Sequence, residues 1–444
     1  MQAKNPAPSM LLAVLLAVGF PGTQAASEST PMPMVLDLKS RAEVIDAWLA
    51  ERVQTVLPGL MRRAGIDLWL VISREYNEDP VLKTMIPATW LSARRWTMLL
   101  IHDPGGDAPL ETLAVARYDV GSVFHQAWDP QAEPDQWRRL AELVEERQPQ
   151  RIGINVSGDF ALADGLTHTE HQALVENLSP RYRERLVSAE ALAIGWLETR
   201  TASEMVVYGQ ICAIAHRIIA EGLSEAAIQP GITTTSDLQW WYRERVADLK
   251  LATWFHPSVS IQRPDAGDDE PEIIQPGDLL HVDFGITYLR LNTDTQQHAY
   301  VLKPGETDAP EPLRRALATG NRLQDILTAN FVTGRSGNEI LAATRRQAIA
   351  EGIKPSIYTH PLGYHGHAAG PTIGLWDQQE GVPGNGDYTL YPNTAYSIEL
   401  GVFLELPGWS KPLNIKLEED AFFDGETVRY IDGRQTELHL IPRR

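Results

Sequence analysis

The sequence contains very little cysteine and a deficit of positive charge. Cys212 is the single cysteine among 444 residues, so an intramolecular disulfide and a cysteine-based zinc cluster are both excluded. Lys and Arg number 39 against 58 Asp and Glu, and the formal charge of −19 argues against nucleic acid or an anionic membrane surface as a partner. The sequence also lacks the GxSxG, GxxxxGK[S/T] and HExxH motifs of three large enzyme classes.

Long apolar runs are missing as well. The run Met10–Phe20 is well below the roughly 20 residues that a membrane-spanning helix needs. It follows Lys4 and precedes the small residues around Ala25, an order that is typical of a signal peptide. We therefore predict that residues 1–25 are a signal peptide, and that the mature protein is periplasmic or secreted and has no membrane-inserted segment.

The length of the chain predicts two domains, because single cores rarely exceed about 250–300 residues. In the first part, apolar runs that read as strands alternate with helical patterns, which is typical of an α/β layer domain. Two helical patterns open the second part. The predicted helices cover about 39–63, with an interruption at Pro58, and 135–146, 203–227 and 235–248; the predicted strands cover 67–73, 96–101 and 151–156.

Two aspartates in the second part have a spacing that predicts a shared site. Asp283 lies in the apolar run LLHVDFG, which reads as a buried strand, and a carboxylate there needs a partner. Asp294 follows 11 residues later, about the length of a strand, a turn and a return strand. The two carboxylates can therefore meet across a hairpin.

Two glutamates and a histidine extend this set. Glu399 ends the strand-like run 395–399, Glu418 ends the run 414–418, and His360 precedes both. Four converging carboxylates would repel one another without cations, whereas two divalent ions require such oxygen ligands and tolerate one imidazole. The set therefore predicts a site for two metal ions and metal-assisted hydrolysis, the arrangement found in aminopeptidases.

These motifs resemble those of the pita-bread metallopeptidases, the superfamily of methionine aminopeptidase, aminopeptidase P, prolidase and creatinase. The resemblance covers roughly residues 197–440. Asp283 and Asp294 match the family's paired aspartates, His360-Pro361-Leu362-Gly363 matches its HxxG motif, and Glu399 and Glu418 match its TIEP-like and RIED-like strands. His367 lies at the +7 position, where the family has a substrate-contacting histidine.

The resemblance implies an α+β fold with a creatinase-like N-terminal domain at 35–195 and a pita-bread catalytic domain at 197–440. It implies a dimetal exopeptidase for short peptides, of the Xaa-Pro aminopeptidase or Xaa-Pro dipeptidase kind, in which a hydroxide between the two ions attacks the scissile carbonyl. The expected ions are Mn, with Co or Zn as alternatives, and a homodimer or higher homo-oligomer is expected. The implied roles concern six residues: Asp283 binds one ion, His360 and Glu399 bind the other, Asp294 and Glu418 bridge both, Glu399 also transfers a proton, and His367 donates to the carbonyl oxygen.

Some features depart from the family pattern or leave alternatives open. The family has a further histidine about seventeen residues before the first aspartate ligand, and no histidine occurs at 263–270 here, so His256 is a candidate substitute. His367 also fits a GHxxG register in which it would replace His360 as the ligand. His365 and Lys416 are predicted to contact substrate, with Lys416 in the place of the family's arginine. The alternative function is a pita-bread peptide-binding module with weak or no turnover.

Overall fold

The computed structural model describes residues 32–264 and 272–443. The predicted signal peptide, residues 1–25, lies outside the described residues, as does most of the 263–270 segment. Within the described ranges, no helix has both the length and the hydropathy that a bilayer span requires.

The N-terminal part is a six-stranded mixed sheet with helices packed around it. Its strand order is β4-β3-β2-β1-β5-β6, in which β1 runs antiparallel to β2 and parallel to β5. The elements are α1 (Leu38–Thr55), α2 (Leu57–Ala64), β1 (Leu68–Arg74), α3 (Pro80–Met85), β2 (Trp96–His102), β3 (Glu111–Val115), β4 (His125–Gln126), α4 (Gln136–Arg147), β5 (Ile152–Ile154), α5 (His168–Asn177), α6 (Pro180–Arg183), β6 (Leu186–Ser188) and α7 (Glu190–Glu198).

Both faces of this sheet are buried. Alternate residues of β1 point to opposite faces, so Trp69 and Val71 join one apolar cluster while Leu68 and Leu70 join the other. The continuous apolar run that predicted the strand follows from this burial on both sides. The expected break near Pro58 is confirmed, because α1 ends at Thr55 and Pro58 lies in the first turn of α2.

In its described residues, the C-terminal part contains three small sheets and four long helices, and a third apolar cluster lies between the sheets and the last two of these helices. The sheets have the orders β19-β11-β8-β7, β12-β15-β16 and β13-β14-β17-β18, and β9 and β10 form a separate hairpin. The elements are α8 (Ala202–Gly222), α9 (Thr235–Asp248), β7 (Ser258–Gln262), β8 (Leu279–Phe284), β9 (Thr287–Tyr288), β10 (Leu291–Asn292), β11 (Thr295–Val301), α10 (Glu311–Ala329), α11 (Gly337–Ala350), β12 (Pro355–Ile357), β13 (His360–Leu362), β14 (Thr394–Ser397), β15 (Leu400–Leu404), β16 (Leu413–Leu417), β17 (Asp420–Phe423), β18 (Val428–Tyr430) and β19 (His439–Ile441).

The two parts meet around helix α7, which crosses the predicted boundary at 195–197. Arg52 of α1 forms a fully buried ion pair with Glu204 of α8, with 3.0 Å between Nη1 and Oε2. Thr201 and Glu204 also form the capping box that begins α8. The same glutamate therefore begins a helix of the C-terminal part and anchors a helix of the N-terminal part.

Candidate metal centre

The five predicted ligands lie within strands of the C-terminal part or directly beside them. Asp283 lies in β8, Asp294 directly precedes β11, and His360 begins β13. Glu399 lies between β14 and β15, and Glu418 lies between β16 and β17. The expectation that both glutamates lie within strands is therefore corrected: each occupies a short break where the chain passes from one sheet to another.

Ligand atoms of these residues converge into overlapping groups. Within each group all the donor atoms lie within 4.8 Å of one another. The groups are Asp283, Asp294 and Glu418; His360, Glu399 and Glu418; and Asp294, His360 and His367. The structure thus brings together all five predicted ligands and places His367 beside them. Which of the two histidines is the ligand stays a prediction.

The hydrogen bonds of His360 leave one ring nitrogen available for a metal ion. Its Nδ1 donates to the carbonyl oxygen of Pro361 at 3.0 Å, so Nε2 carries the lone pair. This buried Nε2 has no hydrogen-bond partner and lies 3.6 Å from Asp294 Oδ2 and 3.5 Å from Glu418 Oε1. Oδ1 of Asp283 is also buried without a partner. A lone pair and a carboxylate oxygen left unbonded in this cluster fit a divalent cation.

The electrostatics of the cluster support the same interpretation. Burial and the neighbouring Glu418 carboxylate raise the pKa of Asp283, Asp294 and Glu399 well above the usual range. Buried carboxylates that lack cations repel one another and retain protons. Divalent ions would lower the pKa of these carboxylates again, because their positive charge favours the ionised form.

Two residues that the sequence analysis missed hold the glutamates in place. The Gln296 side-chain amide donates to Glu399 Oε1 at 2.8 Å and to Glu418 Oε2 at 2.7 Å. The Ser397 hydroxyl donates to Glu418 Oε1 at 2.6 Å. A signal for Gln296 was present in the sequence, because side chains two positions apart in a strand share a face and Gln296 lies two residues after Asp294.

His367 is positioned by aromatic rings at the edge of the cluster. Its ring centroid lies 4.7 Å from that of His360 and 5.1 Å from that of Trp254, and its Nε2 lies 3.5 Å from the Tyr358 hydroxyl. Burial, with a smaller contribution from His360, lowers the pKa of His367 to about 4. The side chain is nevertheless partly open to solvent, as a group that contacts substrate must be.

A cleft of about 420 Å³ opens beside the group formed by the five predicted ligands and His367, which we call the metal cluster. Asp283 and Glu399 lie in its wall, together with Lys416, Tyr358 and Trp376. Lys416 is exposed, and so is Trp376, at 75% of its surface. The predicted substrate contact Lys416 thus lies in the same cleft as two predicted metal ligands.

Three other predicted substrate contacts, His256, His365 and His367, are not among the residues that line this cleft. His256 is exposed, with its ring 5.1 Å from that of Trp240 and its Nδ1 3.3 Å from Arg243. Whether His256 replaces the family's upstream histidine stays a prediction, because part of the loop between His256 and Asp283 lies outside the described residues. His365 is largely buried, and burial together with Lys83 of α3 and Arg200, between α7 and α8, lowers its pKa to about 4.

The fold is similar to those of several solved peptidases. An X-Pro aminopeptidase from Thermotoga maritima is 16% identical, with a TM-score of 0.61 over 86% of this chain and 99% of that one. An Xaa-Pro dipeptidase from Bacillus anthracis is 18% identical, with a TM-score of 0.57 over 89% and 99%. An aminopeptidase P variant from Escherichia coli is 12% identical, with a TM-score of 0.57 over 91% and 97%. At these identities the similarity establishes the fold.

The sequence identifies the protein family. No curated protein matches the chain by sequence. The model of Metallopeptidase family M24 matches residues 210–432, half of the chain, and this segment contains all five predicted ligands. The expected two-domain α+β fold, with its pita-bread catalytic part, is confirmed. The chain therefore belongs to metallopeptidase family M24.

Proposed function

We propose that this protein is a dimetal exopeptidase that cleaves short peptides at Xaa-Pro bonds, as an aminopeptidase or a dipeptidase. The proposal rests above all on the convergence of four carboxylates and His360 with two buried polar atoms, Asp283 Oδ1 and His360 Nε2, left without a partner. Most buried polar atoms are paired inside a protein, and these two unpaired atoms are both able to bind a cation. The site has the composition of a two-ion centre.

Asp283, Asp294, His360, Glu399 and Glu418 would hold the ions, which when bound supply Lewis acidity toward a peptide carbonyl and lower the pKa of water. The protein's own groups would handle the protons. The carboxylate of Glu399, which Gln296 holds at Oε1, would take a proton from the attacking water and deliver it to the leaving amine. His367 would donate a hydrogen bond to the oxygen on which negative charge develops.

The substrate class is proposed from the cleft and from the relatives. The solved structures with a similar fold include an X-Pro aminopeptidase and an Xaa-Pro dipeptidase, and the N-terminal part is present in this chain as well. Lys416 lies in the cleft with Asp283 and Glu399, where its ammonium group would pair with a substrate carboxylate. An ammonium makes a less directional pair than a guanidinium, so this contact would tolerate peptides of more than one length.

Three further parts of the proposal rest on the sequence. Manganese is the proposed ion because the donors are mainly oxygens with one imidazole nitrogen. Export is proposed from the pattern of residues 1–25. A homo-oligomer is proposed from the family resemblance.

Profiling a peptide library with the metal-free and the manganese-loaded protein tests this function. We expect release of N-terminal residues from Xaa-Pro peptides by the loaded protein, and no release after chelation. Each Xaa-Pro peptide is paired with an Xaa-Ala peptide of the same length as a control. Metal binding without hydrolysis of any peptide would instead support the peptide-binding module.

A further inference from the structure

We infer that Gln296 is a positioning residue that fixes the two metal-binding glutamates relative to each other, and that His281 holds the amide of Gln296 in place. This inference rests on the proposed dimetal site and concerns residues with no role in that proposal as ligands or proton donors. It derives from the register of the strands and from the donors and acceptors of one buried amide.

The strand register places Gln296 in the centre of the metal cluster. Gln296 of β11 pairs with Asp283 of β8, and an isolated bridge joins it to Glu418 on its other side. One row across the sheet therefore reads Asp283, Gln296, Glu418. Neighbours in such a row are about 5 Å apart, so the amide lies between carboxylates that would otherwise face each other.

The contacts of Gln296 fix the orientation of its amide. The Nε2 group has two hydrogens, and they are directed at Glu399 Oε1, 2.8 Å away, and Glu418 Oε2, 2.7 Å away. Rotating the amide by half a turn would place its oxygen against two carboxylate oxygens. Because that arrangement is repulsive, the side chain is restricted to the orientation in which it links the two glutamates.

His281 accounts for the remaining polar atom of the amide. His281 Nε2 lies 2.7 Å from Gln296 Oε1, so this ring nitrogen must carry the hydrogen. The other ring nitrogen then accepts from the Ser260 hydroxyl at 3.4 Å, a longer contact. A chain of hydrogen bonds therefore runs from Ser260 through His281 and Gln296 to both glutamates.

This chain of hydrogen bonds leaves a defined set of oxygens for a metal ion. Glu399 keeps Oε2 free, 3.9 Å from His360 Nε2. Glu418 is held at both oxygens, by Gln296 and by Ser397, and its Oε1 still lies 3.5 Å from His360 Nε2. Gln296 thus holds the glutamates apart before an ion binds, which lowers the cost of organising them when it does.

Gln296→Met is the direct test, because methionine fills a similar volume but donates no hydrogen bond. Titration of manganese into the metal-free protein, followed by calorimetry, should give an affinity roughly 10–100-fold weaker than that of the wild type. If Gln296→Met does not fold, Gln296→Asn serves instead, since its amide is one methylene too short to reach both glutamates.

Gln297→Met is the matched control. Gln297 is the next residue of the same strand, is similarly buried, and donates to Glu419 Oε1 at 2.9 Å on the opposite face. Its substitution should leave manganese affinity unchanged. Equal losses in the two variants would overturn the inference, because they would indicate general loosening of β11 rather than positioning of the ligands.

His281→Phe tests the supporting role. It should weaken manganese binding less than Gln296→Met does, and it should cause no further loss when added to that variant, since it acts through Gln296. Additive losses would contradict this order. Failure of this inference can be distinguished from failure of the proposed function. If the wild type cleaves Xaa-Pro peptides and Gln296→Met binds manganese as tightly as the wild type, only this inference is wrong. If the wild type binds no manganese, the proposed function and this inference are both wrong.

Discussion

Among the residues that the structure describes, the carboxylates of two buried charged clusters behave in opposite ways. At the junction of the two parts, burial alone would raise the pKa of Glu204, but Arg200 and Arg52 hold it below its usual value. In the metal cluster, burial and Glu418 raise the pKa of Asp294 well above its usual value. The difference lies in the neighbours, because both carboxylates are almost completely buried.

The carboxylates of the two clusters also differ in whether their oxygens accept hydrogen bonds. Both oxygens of Glu204 accept hydrogen bonds, from Arg52, Tyr364 and the Thr201 amide. Asp283 Oδ1 and His360 Nε2 accept none. Two atoms of the junction, Arg52 Nε and Arg200 Nη1, also lack a partner, but both are nitrogen donors that cannot bind a cation. The unpaired atoms of the metal cluster are a carboxylate oxygen and an imidazole nitrogen, and both can bind a metal ion. This contrast, rather than the number of acidic residues, supports the proposed metal site.

Asp294→Asn should produce the largest effect, because it removes charge from the incomplete cluster while nearly preserving shape. We expect manganese content and turnover of Xaa-Pro peptides to fall together, by more than the 10–100-fold typical of residues that only support a ligand. Elemental analysis and peptide assays measure the two effects. Asp278→Asn is the control, since Asp278 is equally buried but paired with Arg263, and it should keep its metal. Full activity in Asp294→Asn would show that its carboxylate is not a ligand.

Arg52→Met should break the complete cluster without affecting metal binding. Removing the cation leaves Glu204 buried without this partner, which lowers the free energy of unfolding by about 3–5 kcal/mol. Urea denaturation measures this loss, and manganese content should stay at the wild-type level. In the exposed pair Arg443–Glu225, the same change of Arg443 should cost no more than about 1 kcal/mol. Equal costs at the two sites would contradict the structural role of the junction.

The two histidines of the metal cluster should respond differently to substitution. His360→Ala should lose metal, because its free Nε2 faces three carboxylates. His367→Ala should keep metal and lose about 10²–10³-fold in kcat, the effect of removing one donor to a developing oxyanion. Metal analysis beside steady-state kinetics distinguishes the two. Loss of metal from His367→Ala instead would favour the alternative GHxxG register.

Local patterns predicted much of the fold because they report which faces are buried. Helix α9 has the predicted bounds, 235–248, whereas α8 ends at Gly222 rather than near residue 227. The last residue of α8, Gly222, packs so closely against the ring of Tyr242 on the next helix that a side chain at this position would overlap it. No local pattern contains that contact.

For the candidate site, as for the fold, the sequence predicted the residues but not the tertiary contacts that position them. Residue type and order identified the set around Asp283, but the breaks that contain Glu399 and Glu418 depend on how two sheets join, which sequence spacing does not reveal. The contact of Arg52 with Glu204 spans 152 residues and has no local signature. Gln296 was within reach of the strand alternation rule, whereas the orientation of its amide depends on His281 and both glutamates.

Glu198 offers the test with the smallest expected effect. Its carboxylate is intermediate in character between those of the two clusters, because it has cations nearby but no hydrogen-bond partner. It is fully buried like Glu204, yet neither oxygen has a hydrogen-bond partner, and the nearest paired cation, Arg63 Nη2, is 3.9 Å away. Burial raises the pKa of Glu198 to about 8, although Arg63, Arg200 and, from beyond hydrogen-bond distance, the Tyr388 hydroxyl act to lower it. The cations around it are therefore too distant to compensate for burial.

The sign of the pH dependence follows from this shift. The folded protein holds the Glu198 proton more tightly than the unfolded chain, so its stabilising contribution is complete below the unfolded pKa and is lost as the pH rises toward 8. Between about pH 5.5 and 7.5, the free energy of unfolding of the wild type should fall by about 1 kcal/mol per pH unit more than that of Glu198→Gln, which cannot titrate. Urea denaturation at several pH values measures the difference. Parallel slopes would mean that Glu198 is ionised throughout, as Glu204 is, and that the distant arginines suffice to complete this cluster as well.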